Sequence, residues 1–327
     1  MSLRLPTFDD IIAAHARLKP HLVATPLIEH PALNARTGGR ILVKCENMQR
    51  VGAFKFRGAY NKISQVDRDR YPGGVVACSS GNHAQGVAAA ATLLGLQSAI
   101  VMPADAPRLK TARTRAFGGE VISYNRETED RDGIALQLCE ERKAAMVHPF
   151  DDPDVMSGQG TVGLEIVEQA RALGASPDVV LAPASGGGLV GGIAVAIKKL
   201  NPHTEVLSVE PAGFDDLARS LRSGKREKND RMSGSICDAL MAPSPGEITF
   251  AVAERNLSGG LAVSDAEARE AIRFVFDELK LVVEPGGAVA LASVLTGRLP
   301  AKGRTVAVVL SGGNIDPQLF SQIILER

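Results

Sequence analysis

The feature that most constrains this chain is a repeated local pattern, in which an apolar β-prone run ends in a polar, glycine-rich turn and a helical pattern follows. Residues 75–78 lead into Ser79-Ser80-Gly81-Asn82-His83, residues 178–184 into Ser185-Gly186-Gly187-Gly188, and residues 306–310 into Ser311-Gly312-Gly313-Asn314. Parallel strands need long, usually helical crossovers, and open α/β sheets bind ligands at the carboxyl ends of their strands, where these turns fall. The pattern predicts an α/β fold, mainly parallel, with its site built from loops at strand ends.

Composition narrows the function. Glycine accounts for 33 of 327 residues, above the typical share of about 7%, and it concentrates in those turns instead of forming a linker or a repeat. The 37 basic and 37 acidic residues cancel, which argues against a nucleic-acid partner. No apolar run approaches a membrane span, and Asp9 and Asp10 stand where a secretory leader would be apolar, so no membrane partner and a cytoplasmic location are expected. Cys45, Cys78, Cys139 and Cys237 are scattered without a C-x-x-C pair, which predicts small buried side chains, neither disulfides nor a cysteine zinc site.

Strands are predicted at residues 41–45, 75–78, 98–101, 120–124, 179–182, 206–209 and 305–310. Helices are predicted at 108–117, at 131–143, and from Gly191 through an apolar GGIAVAIKKL that should be buried. Thr7 and Asp10 form a capping-box pattern ahead of an amphipathic opening helix. No Pro/Ser-rich linker separates two halves, and the charged stretch 222–235 reads as a solvated loop.

The segment from Asp178 to Glu210 is ambiguous by itself. Gly186, Gly188 and Gly191 satisfy G-x-G-x-x-G, with an acid about 20 residues on, as a nicotinamide site requires. What every reading shares is an anion cradle: glycines let backbone N–H groups approach a phosphate, and the following helix adds its positive end. Lys55 lies between Phe54 and Phe56, where desolvation favours a neutral, nucleophilic amine, although such lysines also snorkel. The SSGNH turn presents hydroxyls, an amide and free N–H groups suited to a carboxylate.

Taken in order, GAFKFRGA, SSGNHAQG, PASGGGLVGG and LSGGN resemble the fold type II pyridoxal-phosphate enzymes, specifically the serine/threonine dehydratase and serine racemase family, over almost the whole chain. The resemblance implies two open, twisted, mainly parallel sheets flanked by helices. It further implies a large cofactor-binding domain from residues 1–64 and 150–327, a small mobile domain at 65–149, and a homodimer. It makes Lys55 the lysine bonded to pyridoxal 5′-phosphate, with Phe54 beside the ring and Asn82 on the ring's 3′-oxygen. Ser79, Ser80, Gly81, Asn82 and His83 would bind the substrate carboxylate, with Ser80 facing the α-carbon opposite Lys55. Gly186, Gly187, Gly188 and Leu189 would hold the phosphate. Ser185 replaces a glycine common in relatives, and its hydroxyl either touches the phosphate or tightens the loop. Glu284 would line the cleft, and Ser311 would face the pyridine nitrogen.

A serine at that nitrogen makes the ring a weaker electron sink and favours prompt loss of a β-leaving group. The implied reaction is β-elimination of L-threonine or L-serine to a 2-oxo acid and ammonia. Alternatives are a 3-hydroxyaspartate dehydratase, a serine racemase using Ser80, a nicotinamide oxidoreductase, and a binder without lyase activity. Arg131 matches a position that is arginine in serine racemases, and it could pair with a second substrate carboxylate; Phe150 instead resembles the threonine dehydratases. The resemblance also implies a divalent cation held by the carboxylates of Glu210 and Asp216 and the Phe214 carbonyl; oxygen ligands suit Mg²⁺ or Ca²⁺. With only 13 residues beyond Asn314, no C-terminal amino-acid-sensing domain and no feedback inhibition by isoleucine are expected.

Overall fold

The computed structural model describes residues 3–106 and 108–326. Their strands are β1 (Leu27–Glu29), β2 (Arg40–Lys44), β3 (Val75–Cys78), β4 (Ser98–Pro103), β5 (Glu120–Tyr124), β6 (Ala145–Met146), β7 (Val179–Pro183), β8 (Glu205–Pro211), β9 (Gly259–Val263) and β10 (Thr305–Val309). Six of them form one sheet in the order β1-β2-β10-β7-β8-β9, parallel except for the antiparallel β1–β2 edge. The other four form an all-parallel sheet, β5-β4-β3-β6. The predicted α/β class with two parallel-rich sheets is borne out.

The valine-rich strands are apolar on both faces because both faces are covered. From β7 and β10, Val179, Leu181, Val306 and Val308 pack toward the helix Pro285–Leu295, while Val180, Ala182, Ala307 and Val309 pack toward the helices Pro153–Ala172 and Gly188–Leu200. Those last two helices approach closely: a Cβ on Gly163 would lie 2.9 Å from the Ile193 carbonyl oxygen. On the smaller sheet, Val75, Ala77, Ile100 and Met102 share a core with Ala84 and Val87 of the helix Asn82–Leu93. That core also takes Phe56, Ala59, Tyr60 and Ile63 from the helix Lys55–Ile63, and Ala14 and Leu18 from the opening helix Phe8–Leu18. The lysine-bearing helix thus packs directly on the smaller lobe.

The capping box at Thr7 and Asp10 forms as expected. The third predicted helix starts at Gly188, three residues before Gly191, because Gly187 makes the turn at φ +94° and Gly188 is already helical. Strands β1, β6 and β9 were not predicted: two are very short, and β9 opens on two glycines. Cys45 and Cys237 are buried and Cys78 and Cys139 half-buried, all four free. Among the described residues, no helix is long and apolar enough to cross a membrane.

Candidate active site

The parallel register of the larger sheet brings its strand ends level. The Leu310 amide donates to the Lys44 carbonyl, and the Ala184 amide donates to that of Val209. The turns after β2, β10, β7 and β8 therefore open on one edge, and the SSGNH turn after β3 comes from the other sheet.

Lys55 begins its helix, and its Nζ donates to the Pro149 carbonyl oxygen at 2.7 Å. Among the described residues it has no carboxylate partner, and burial lowers its pKa to about 8. The Phe54 ring centroid is 5.2 Å from Nζ. The Phe54 amide donates to the Ser311 carbonyl, and Ala53 forms a β-bridge with Gly312. From the opposite side, a Cβ on Gly86 would stand 3.1 Å from the Lys55 carbonyl carbon. The segments carrying Lys55, Pro149 and Ser311 and the helix that opens with Asn82 thus lie against one another.

The loop Ser185–Leu189 fits a phosphate. Gly187 is the N-cap of the following helix without any side-chain cap, so the first-turn amides of Gly188 and Leu189 have no intrahelical acceptor. A Cβ on Gly186 would run into the Phe150 ring, and one on Gly188 would meet Phe150 at 3.0 Å. The loop is braced from behind, since the Thr249 hydroxyl donates to the Gly186 carbonyl at 2.6 Å. Ser185 Oγ accepts from the Ala242 amide at 3.0 Å, which ties the loop down.

In the SSGNH turn, Gly81 N–H donates to Ser79 Oγ at 3.2 Å, and Asn82 and His83 open the helix. Ser80 is half-buried at the turn. The His83 side chain is buried with Nε2 3.0 Å from the Val147 carbonyl oxygen, and burial lowers its pKa to about 3. Its imidazole is therefore neutral and occupied by the Val147 carbonyl. Asn82 Nδ2 donates to Glu284 Oε1 at 2.6 Å. Burial, with Asp238 adding to it, pushes the Glu284 carboxyl up to about 7 against that hydrogen bond.

Arg131 is placed less centrally. Its side chain is half exposed and pairs with Asp132 at 3.2 Å, while its carbonyl lies 3.5 Å from Cys78 Sγ, next to the SSGNH turn. Glu210 is fully buried and accepts from the Leu217 and Ala218 amides at 3.0 and 2.8 Å, capping the helix Asp216–Ser223. Asp216 accepts from Asn229 at 2.6 Å through Oδ1, whereas its buried Oδ2 has no partner among the described residues. Burial raises both carboxyls, Glu210 well above the usual range with Asp216 contributing, and Asp216 to about 6. Phe214 is buried in the intervening turn. Among the described residues, no cluster of three His, Cys, Asp or Glu side chains is arranged for a metal.

Sequence reasoning did not single out Asn314 as a site residue, nor Arg113 at all. Asn314 Nδ2 donates to Asn82 Oδ1 at 2.8 Å, and Arg113 Nη1 donates to Asn314 Oδ1 at 2.6 Å. The polar SGGN turn was the available signal for Asn314.

A braced glycine cradle, a buried amine and an amide on the helix that packs against the Lys55 backbone suit an aldehyde cofactor that carries a phosphate. The family model described as pyridoxal-phosphate dependent enzyme matches residues 18–312, and the chain belongs to that family. It is 40% identical to L-threo-3-hydroxyaspartate ammonia-lyase of Saccharomyces cerevisiae, covering 98% of this chain and 97% of that protein. It is 41% identical to L-threonine ammonia-lyase of Thermotoga maritima, covering 97% and 78%. The structure of maize serine racemase superposes with a TM-score of 0.92 at 35% identity, covering 98% and 97% of the two chains. The nicotinamide reading of the glycine motif is set aside on this ground.

Proposed function

We propose that this chain is a pyridoxal-phosphate-dependent ammonia-lyase that converts L-threonine or L-serine to a 2-oxo acid and ammonia by β-elimination. The observation that carries the reading is the buried Lys55 amine, free of any carboxylate partner among the described residues and bonded to Pro149, whose neighbour Phe150 packs on Gly186 and Gly188 of the cradle. The ammonia-lyase names of relatives matched along nearly the whole chain support the reaction class.

When bound, the cofactor supplies an electron-withdrawing ring conjugated with the substrate nitrogen, which acidifies the α-hydrogen. Gly186, Gly187, Gly188 and Leu189 would hold its phosphate, Phe54 would pack on its ring, and Asn82 would donate to the ring oxygen. Ser311, whose hydroxyl is far less acidic than a carboxyl, would face the ring nitrogen without protonating it. Lys55 takes the proton from the α-carbon, a role its pKa of about 8 suits near neutral pH. Ser79, Ser80 and the Gly81, Asn82 and His83 amides hold the substrate carboxylate at a helix start. The β-hydroxyl leaves as water, the proton that Lys55 removed balancing its departure, and the released enamine tautomerises and is hydrolysed by a second water to the 2-oxo acid and ammonia. Glu284 accepts from Asn82 at the wall of the cleft.

Residues 65–149 would move as a small domain against 1–64 and 150–327, closing the SSGNH turn over the substrate and excluding water. The shared core with the Lys55 helix means that this motion shears along Phe56 and Tyr60. The chain would act as a cytoplasmic homodimer on a small hydroxy amino acid, without a nucleic-acid or membrane partner. Its balanced charge supports the nucleic-acid part, and sedimentation tests the dimer.

Two buried acids, one with an unpartnered oxygen, support a Mg²⁺ or Ca²⁺ between Glu210, the Phe214 carbonyl and Asp216. A second substrate, 3-hydroxyaspartate, is favoured by the place of Arg131 beside the SSGNH turn. Its exposed pair with Asp132 is weak enough to exchange for a substrate carboxylate. The deciding measurement is ammonia release from L-threonine, L-serine and the 3-hydroxyaspartate isomers by wild type and Arg131→Ala. A clamp predicts selective loss with hydroxyaspartate of about ten- to a hundredfold, and an unaltered ratio removes the second reading. Ser80→Ala should abolish any racemisation of serine much more than elimination; equal losses would give Ser80 a general binding role.

A further inference from the structure

Asn314, in the turn after β10 of the larger sheet, is gripped from two sides by the smaller lobe. Arg113 on the helix Arg108–Ala116 donates to its Oδ1 at 2.6 Å, and its own Nδ2 donates to Asn82 Oδ1 at 2.8 Å and to the Val51 carbonyl at 2.7 Å. Gly52, at φ +71°, leaves room for this side chain: a Cβ there would stand 2.8 Å from Asn314 Oδ1. The same helix carries Lys110, which pairs across the cleft with Asp238.

The two ends of this chain of hydrogen bonds have fixed polarity. A guanidinium only donates and a peptide carbonyl only accepts. Arg113 therefore draws Oδ1 of Asn314 toward itself, Val51 takes one Nδ2 hydrogen, and the other points at Asn82. Asn82 must answer with its oxygen, which turns its own Nδ2 toward Glu284 and the Gly312 backbone.

We propose that Arg113 and Asn314 are positioning residues that set which way round the Asn82 amide lies, and that they do so only while the two lobes are closed. An asparagine amide has nearly the same shape in both orientations, so only its hydrogen-bond partners decide between them. Glu284 alone does not decide, because a carboxyl titrating at about 7 presents either a donor or an acceptor near neutral pH. Both the Arg113 and the Asn82 contacts to Asn314 join the helices flanking the smaller sheet to the turn after β10, so the proposed opening of the small domain would break them together and its closing would align the amide. The proposal rests on Asn82 donating to the cofactor's ring oxygen.

The test uses the holoenzyme and three readouts: the visible absorption band of bound cofactor, kcat and KM separately, and cofactor retention on dialysis. Asn314→Asp keeps size and the Arg113 contact but cannot donate, so it should turn the Asn82 amide around. The expected result is a displaced visible band and a loss in kcat of about tenfold, with KM within about twofold. Arg113→Met should give a smaller loss of the same kind, and Arg113→Lys, which still only donates, should restore it. In an Asn82→Ala background, Asn314→Asp should add nothing. Arg113 lies on an exposed surface, so its variants carry the test even if Asn314→Asp folds poorly. Wild-type band and kcat in both Asn314→Asp and Arg113→Met, with Asn82→Ala impaired, would overturn the relay alone. A silent Asn82→Ala would overturn the role given to Asn82, and the relay with it.

Discussion

Arg57 grips Glu165 across 108 residues of chain, Nη1 to Oε1 at 2.6 Å and Nη2 to Oε2 at 2.8 Å, with the Arg57 side chain fully buried. The same guanidinium takes Glu46 through two bonds of 2.7 Å, and buried Lys44 joins Glu165 at 2.6 Å. Two cations and two carboxylates make a neutral, satisfied cluster. It ties the helix that begins with Lys55 to the end of β2 and to the helix Pro153–Ala172.

Removing one member strands the others in a low-dielectric interior. Arg57→Met is expected to lower stability by about 3–5 kcal/mol. Arg57→Lys should recover less than half of that, since an ammonium cannot fork to two carboxylates. Urea unfolding of each variant checks this, and an unchanged midpoint for Arg57→Met would contradict it.

A second expectation concerns the phosphate loop. Gly186→Ala drives a methyl into the Phe150 ring and should weaken cofactor affinity by about tenfold or more, the cost of overpacking being roughly 1–3 kcal/mol. Phe150→Ala in the same chain should restore part of it. Equilibrium titration with pyridoxal phosphate measures both; additive losses would mean that Phe150 does not set the space.

Much of this was legible in the sequence, and the unread part has a common cause. Valine-rich runs identified β3, β7 and β10, and glycines marked the turns that end them, because local chemistry dictates both. Glu165 carries no local mark: its partners Lys44 and Arg57 lie more than a hundred residues away. Asp151 is similar, accepting from the amides of Glu247, Ile248 and Thr249 to cap a helix 96–98 residues on. The amphipathic pattern placed the opening helix, yet only the fold shows that it shares a core with the Lys55 helix. Arg113 reads as one more charge on a polar helix until Asn314 is brought beside it.

The Lys55 amine gives a pH expectation. With burial lowering its pKa to about 8, about a quarter is neutral at pH 7.5, against about one in a thousand for an ordinary lysine. Neutral amine is the nucleophile, so the rate at which cofactor-free protein takes up pyridoxal phosphate should rise with pH and level off above about 8. A stopped-flow rate still climbing through pH 10 would contradict an enclosed amine.

The acids Glu210 and Asp216 give another. A cation that binds only the folded chain stabilises it by about 2.7 kcal/mol at a hundredfold excess over Kd. Chelator should therefore lower Tm and activity, and added Mg²⁺ or Ca²⁺ should restore both. Superimposable melting curves with and without chelator would reject the cation.

The role of Lys55 is tested most directly by comparing wild type with Lys55→Ala in the presence of pyridoxal phosphate, reading the visible band, its loss on borohydride treatment, and 2-oxo acid and ammonia formed from L-threonine and L-serine. Wild type is expected to show a band that borohydride abolishes, with the two products formed in equal amounts. Lys55→Ala is expected to show no such band and turnover lower by about a hundredfold or more. Undiminished turnover in Lys55→Ala, or a wild type that binds the cofactor and releases no ammonia, would contradict these expectations.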